Sequence, residues 1–177
     1  KSIKIEPAYA EAHNNLGNVL KELKQDEAAV KSYKQALRIK PDYVEAQYSL
    51  GVMLQDLGQL EAAIKCYEAV LAIKPNFSDA FNNLATAFLD LGQLNEAVKS
   101  YKSALKIKPD FVEAINNLGI VFYKLHQTDE AIECYEKAIS FKPDFVDAYA
   151  NLAFAMRDLK RFDEALVNYE RAIVLKP

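Results

Sequence analysis

Between Phe81 and Gly92 the sequence reads FNNLATAFLDLG, with Ala80, Leu84, Ala87, Phe88 and Leu91 at three- and four-residue steps. That spacing gathers apolar side chains on one face of a helix. The rhythm repeats along the chain. Residues 44–57 put Ala46, Leu50, Met53, Leu54 and Leu57 on one face, and residues 61–74 do the same with Ala63, Ile64, Tyr67, Val70 and Leu71. Two amphipathic helices are predicted there, joined at Gly58, where a left-handed residue ends a helix at little steric cost. Gly92 stands at the same place in the next copy, and Lys24, His126 and Lys160 in the others. Ahead of the first helices come Asp42 with Glu45, Asn76 with Asp79, Asp110 with Glu113 and Asp144 with Asp147. A side-chain acceptor followed three residues on by an acid is a capping signal. Ala8 stands there in the first copy, whose helix is expected to fray.

A longer period lies over this one. Pro7, Pro41, Pro75, Pro109, Pro143 and Pro177 are each 34 residues apart. A period of that length marks an array of supersecondary units. In a frame that makes Ala10 position 1 and the prolines position 32, position 7 is always Leu, and position 8 is Gly17, Gly51, Ala85, Gly119 and Ala153. Position 20 is always Ala and position 24 always Tyr. The small residues imply close helix approach, with position 8 expected against position 20 and the tyrosine filling the space beyond. One hairpin cannot bury both of its faces, so the core is expected to run along the stack.

These residues resemble the tetratricopeptide repeat (TPR) family in the Leu-Gly of the first helix, the Ala, Tyr and Ala of the second, and the closing Pro. The resemblance covers essentially the whole chain. It implies an all-α fold, a right-handed superhelical solenoid of five helix hairpins whose first helices line a concave groove. The expected domain is a single array over residues 1–177. Residues 1–9 end a preceding repeat, and the copies are 10–43, 44–77, 78–111, 112–145 and 146–177. The aromatic usual at position 4 is present as Phe81 and Tyr149, with His13, Gln47 and Ile115 elsewhere. Both ends cut through the pattern without a polar capping helix, so a longer parent protein is expected. Head-to-tail self-association through the open ends follows, because arrays need caps for solubility.

Asparagine inside a helix costs up to roughly 0.7 kcal/mol against alanine, yet it recurs here at one place. Position 6 holds Asn15, Ser49, Asn83, Asn117 and Asn151; position 5 holds Asn14, Tyr48, Asn82, Asn116 and Ala150. In the TPR frame both lie on the groove side. A primary amide offers a donor and an acceptor, so it can pair with any peptide bond. Helices packed 8–10 Å apart would place one amide about every three residues of an extended chain. The position-6 series resembles the asparagine ladder in the TPR arms of O-linked N-acetylglucosamine transferases, with Ser49 as a gap. The competing reading is that the amides only tie neighbouring repeats together. Further along, Ile120, Tyr123 and Phe154, with Leu89, form an apolar stretch suited to a hydrophobic anchor or to contact with the adjacent repeat. The carboxylate-clamp TPR domains use basic residues at positions 5 and 9; no copy has either, so that function is excluded.

Half of the 177 residues are apolar and the net charge is −3, which gives no reason to expect a nucleic-acid or membrane partner. Lys40, Lys74, Lys108, Lys142 and Lys176 each end a second helix, where the helix dipole favours a cation. Cys66 and Cys134 share position 23, two repeats apart, and are expected to be half-buried and unpaired. Two cysteines make a reducing, cytoplasmic or nucleocytoplasmic compartment the default. His13 and His126 have no nucleophile arranged around them. No catalytic constellation, metal set or cofactor loop is legible, so the segment is expected not to be an enzyme. The primary expectation is a scaffold that binds an extended protein or peptide segment. The alternatives are the substrate-recruiting arm of a glycosyltransferase and a plain spacer. Replacing Asn83, Asn117 and Asn151 by Ala is expected to weaken binding and leave stability unchanged or slightly raised.

Overall fold

The computed structural model describes residues 7–176. The described residues form ten helices and no strand. These are α1 (Pro7–Glu22), α2 (Asp26–Ile39), α3 (Val44–Asp56), α4 (Leu60–Ile73), α5 (Ser78–Asp90), α6 (Leu94–Ile107), α7 (Val112–Lys124), α8 (Thr128–Phe141), α9 (Val146–Asp158) and α10 (Phe162–Leu175). α1 pairs with α2, α3 with α4, α7 with α8 and α9 with α10 as hairpins at the predicted places. They form two compact units, residues 1–91 and residues 92–177, divided at the turn after α5. The expectation for Ser2 to Glu6 lies outside the described residues.

The hairpin turns close as predicted. Gly58 and Gly92 have φ of +71° and +73°, and Lys24, His126 and Lys160 adopt φ of 56°, 60° and 61° without glycine's freedom. After α3, Gly58 N–H donates to Gln55 O at 2.9 Å and Gln59 N–H to Leu54 O at 2.8 Å. That pair of bonds is the Schellman ending, which satisfies carbonyls the helix would otherwise leave open. Lys24 with Gln25, His126 with Gln127, and Lys160 with Arg161 repeat it.

The expected caps are not there. α3, α5, α7 and α9 begin after Tyr43, Phe77, Phe111 and Phe145, and none has a side-chain cap hydrogen bond. Asp42, Asp110 and Asp144 are turn residues instead. Tyr43, Phe111 and Phe145 N–H donate back to Lys40, Lys108 and Lys142 O at 3.2, 3.2 and 3.0 Å. Proline in second place presets such a turn. The lysine at each corner rests over the aromatic ring three residues on, at 5.1 Å for Lys40–Tyr43, 4.7 Å for Lys74–Phe77, 4.5 Å for Lys108–Phe111 and 5.4 Å for Lys142–Phe145. The basic column therefore serves cation–π contacts as well as helix ends. α1 begins at Pro7.

Packing inside a hairpin differs from expectation in one respect. A Cβ on Gly17, Gly51 or Gly119 would lie 2.5, 2.8 or 2.6 Å from the ring of Tyr33, Tyr67 or Tyr135. Position 8 thus faces the tyrosine at 24, not the alanine at 20. The reason is the ring's reach across the helix pair, close enough in these three copies that an added methyl would have to push the ring aside. In the first unit Tyr33, Leu50, Met53, Leu54, Ile64, Tyr67 and Leu84 form the core. In the second, Ile132, Tyr135, Leu152 and Met156 do so, beside Ile115, Ala138 and Ala148.

Candidate functional site

Candidate residues lie on the first helices of each unit taken by itself: α1, α3 and α5 in the first, α7 and α9 in the second. Asn15 is exposed; Ser49, Asn83, Asn117 and Asn151 are half-buried. Asn83 Nδ2 donates to Tyr48 Oη at 2.9 Å, and Asn151 Nδ2 donates to Asn116 Oδ1 at 3.0 Å. Each bond joins position 6 of one repeat to position 5 of the repeat before, so these two amides brace neighbouring hairpins. Asn82 Nδ2 donates to Asn83 Oδ1 at 3.2 Å, and Asn116 Nδ2 to Asn117 Oδ1 at 3.4 Å.

Position 5 is the more enclosed of the two. Asn14 and Asn116 are buried and Asn82 is half-buried. The carbonyls Asn14 Oδ1 and Asn82 Oδ1 are buried without a hydrogen-bond partner. Such groups cost about 1–3 kcal/mol each. Tyr48, which sequence reasoning did not single out, stacks near Phe77 at 5.0 Å and Tyr67 at 6.0 Å between ring centroids. Burial and then the Asp79 carboxylate push its phenol up, against the bond from Asn83. It stays neutral, and its own proton is available to an acceptor.

The apolar stretch of the second unit is partly used by the array itself. Ile120 and Tyr123 pack on the core beneath them, and Tyr123 meets Phe154 edge-on at 5.4 Å. Phe154 keeps 40% of its surface and carries Arg157 over its face at 4.2 Å. Tyr123 Oη donates to Asp158, which holds the phenol up and the carboxyl down. In the other unit Lys21 pairs with Asp56 at 2.9 Å. Both join position 12 of one repeat to position 13 of the next. A donor at position 12, Lys21 or Tyr123, with an acid at position 13 of the next copy, Asp56 or Asp158, was the signal available for this second set of rungs.

Cys66 is buried rather than half-buried, while Cys134 is half-buried as expected; each sets its Cβ against the glycine at position 8, Gly51 and Gly119. Burial pushes the Cys134 thiol up to about 11 and raises Cys66 too. Neither is an activated nucleophile. Among the described residues no group of three His, Cys, Asp or Glu could hold a metal, and no helix is long and apolar enough to cross a membrane.

A family model described as TPR repeat matches residues 17–58, 53–92 and 85–126; models described as tetratricopeptide repeat match 112–145 and 134–167. The chain belongs to the tetratricopeptide repeat family. Comparison with curated proteins returns no match. Among solved structures, this TPR chain is similar to MamA, with 26% identity, 90% of this chain and 94% of that chain covered, and a TM-score of 0.84. MamA from Desulfovibrio magneticus RS-1 superposes with a TM-score of 0.88 at 21% identity, over 95% of each chain. YrrB, described as a TPR protein with an unusual peptide-binding site, matches at 22% identity over 93% of this chain and 85% of its own, with a TM-score of 0.76. The fold class is that of these neighbours, an all-α helical repeat solenoid, and TPR chains of this kind are protein-interaction scaffolds.

Proposed function

We propose that this TPR segment holds an extended segment of a partner protein along its first helices, gripping the partner's backbone through the position-6 amides. The carrying observation is that these amides keep hydrogen-bonding capacity at the surface. Asn15 is exposed, and Asn117 and Asn151 are half-exposed, each amide with polar atoms not used in the bonds described above. Within the second unit, the half-exposed amides of Asn117 and Asn151 at one register of α7 and α9 suit a repeating peptide backbone, whatever its side chains. Ile120, Tyr123 and Phe154 offer an apolar anchor beside Asn117 and Asn151. In this reading Asn14, Asn82 and Asn116 act behind the surface, orienting the outer row. Net gains of roughly 0.5–1.5 kcal/mol per hydrogen bond, less ordering costs, give weak to moderate affinity.

A second reading has its own support. The Asn83–Tyr48 and Asn151–Asn116 bonds serve repeat-to-repeat bracing. The two readings are separable by experiment. Asn151→Ala strands Asn116 Oδ1 and should cost about 1–3 kcal/mol, whereas Asn83→Ala frees a phenol that water can serve and should cost about 1 kcal/mol or less. This revises the expectation of unchanged stability. The peptide reading requires that the triple variant Asn83→Ala, Asn117→Ala, Asn151→Ala also loses most capture of unstructured peptides on an array, under conditions where it is fully folded. Undiminished capture by the folded variant would leave bracing as the whole role. The substrate-recruiting arm of a glycosyltransferase is the alternative context for the same grip. We also infer that the apolar end faces of α1 and α10 allow weak head-to-tail association.

A further inference from the structure

The inference rests on the peptide-binding reading and adds a side-chain preference to it. The second repeat is the copy that carries Tyr48 and Ser49 where the others have Asn-Asn or Ala-Asn. Between α7 and α9 the buried carbonyl of Asn116 is met by Asn151 at 3.0 Å, whereas in the first unit Asn14 Oδ1 and Asn82 Oδ1 have no such partner. The counterpart of Asn151 for Asn14 is Ser49, whose side chain is too short to replace that amide. Asn14 is 6% exposed and its Oδ1 has no partner.

The missing amide also leaves space. Asn14, Asn18, Tyr48, Ser49 and Phe77 line a hollow of about 290 Å³. A second hollow of about 170 Å³ shares Asn18, Tyr48 and Ser49 and continues to Val52. Each hollow alone lies below the roughly 300–1,000 Å³ of whole small-molecule sites, a size suited to a side chain of a bound partner. Its ionic groups do not favour either sign. Lys74 rests over Phe77 at 4.7 Å, Lys21 is paired with Asp56 at 2.9 Å, and Glu45 stands exposed at the rim. The polar groups on the wall are neutral: an amide with an unpaired carbonyl, a serine hydroxyl and a phenol whose proton is available.

We propose that this hollow receives the carboxamide side chain of a glutamine or asparagine from the bound partner. The incoming NH₂ supplies the rung that Ser49 lacks, and its carbonyl accepts from the Tyr48 or Ser49 hydroxyl. The last torsion of an asparagine is broad and roughly two-fold, so the Asn14 amide can turn its carbonyl to the guest. The serine gap is thus a place where a backbone-reading surface reads a polar side chain.

The test uses the full 177-residue chain and fluorescein-labelled ten-residue alanine–serine peptides that differ only in a central Gln, Leu, Lys or Glu, read by anisotropy. The Gln peptide should bind about five-fold more tightly than the Leu peptide, the worth of one neutral hydrogen bond. Ser49→Asn should erase that preference, bringing the Gln and Leu peptides to equal affinity, and should raise the melting temperature by about 2–4 °C. Equal binding of all guests, a Lys or Glu preference, or a Gln preference that survives Ser49→Asn would overturn the proposal alone. So would a melting temperature that Ser49→Asn leaves unchanged or lowers. Binding that is lost from the folded Asn83→Ala, Asn117→Ala, Asn151→Ala variant supports the underlying grip. Absence of binding by every peptide would overturn both.

Discussion

In three of the hairpins a hydrogen at position 8 lets the tyrosine ring of the second helix lie against the first. In α7, Gly119 faces Tyr135, whose ring would lie 2.6 Å from an added Cβ, with the Cys134 Cβ at 3.1 Å. Alanine would gain about 0.8–1 kcal/mol of helix propensity over glycine. Overpacking a filled core costs about 1–3 kcal/mol. The clash wins, but narrowly, because the contact is with a ring edge that can shift, and Ala153 is accepted at the same position in α9. Gly119→Ala should therefore lower stability by about 1 kcal/mol, seen as a drop of about 2–4 °C in thermal melting. A variant as stable as the parent would mean that the ring moves freely and that the Gly–Tyr contact does not set the helix spacing. Composition could show that position 8 is small. It could not show which large residue required it, because the ring's direction depends on rotamer and helix crossing together.

At the scale of the element, the error over caps is instructive. Asp42, Asp110 and Asp144 have the right chemistry and nearly the right place for an N-cap, yet each helix starts one residue later. The Lys-Pro-Asp-aromatic corner prevails because proline fixes the turn and the lysine lies on the aromatic that follows. The 34-residue period made hairpin existence, turn sites and most core positions legible from residues such as Leu50, Ala63 and Tyr67. Element boundaries were less so, since capping and turn signals use the same side chains. Asp110→Ala should thus cost well under the ~1 kcal/mol of a true cap, while Lys108→Ala should cost about 0.5–1 kcal/mol through loss of the contact over Phe111 at 4.5 Å. Chemical denaturation of the two variants checks the ordering. A reversal would restore the cap and demote the lysine.

For the whole molecule, repetition is both the source of stability and an incomplete solution, because each face is finished only by the next copy. Position 7 shows this directly. Leu50, Leu84, Leu118 and Leu152 are 4–6% exposed, whereas Leu16 in α1 is 48% exposed. Position 21 shows the complementary side: Ile64 and Ile132 are buried, and Leu166 in α10 is 58% exposed, with Ile173 beside it at 65%. The face of α10 is thus the kind on which a first helix sits elsewhere in the array, and α1 is such a helix. A second copy can place its α1 on α10 and gain burial at roughly 25 cal/mol per Å². The contact is one helix wide, and association must also offset lost translational freedom, so it should be weak. Sedimentation velocity should show the weight-average coefficient climbing with concentration, and Leu166→Lys with Ile173→Lys should flatten that climb without unfolding the chain. The charges belong on α10 because a lysine there stays hydrated in the monomer but would be desolvated under an incoming α1. A coefficient independent of concentration in the parent, or a climb the two lysines do not alter, would mean that these faces are not joined to one another.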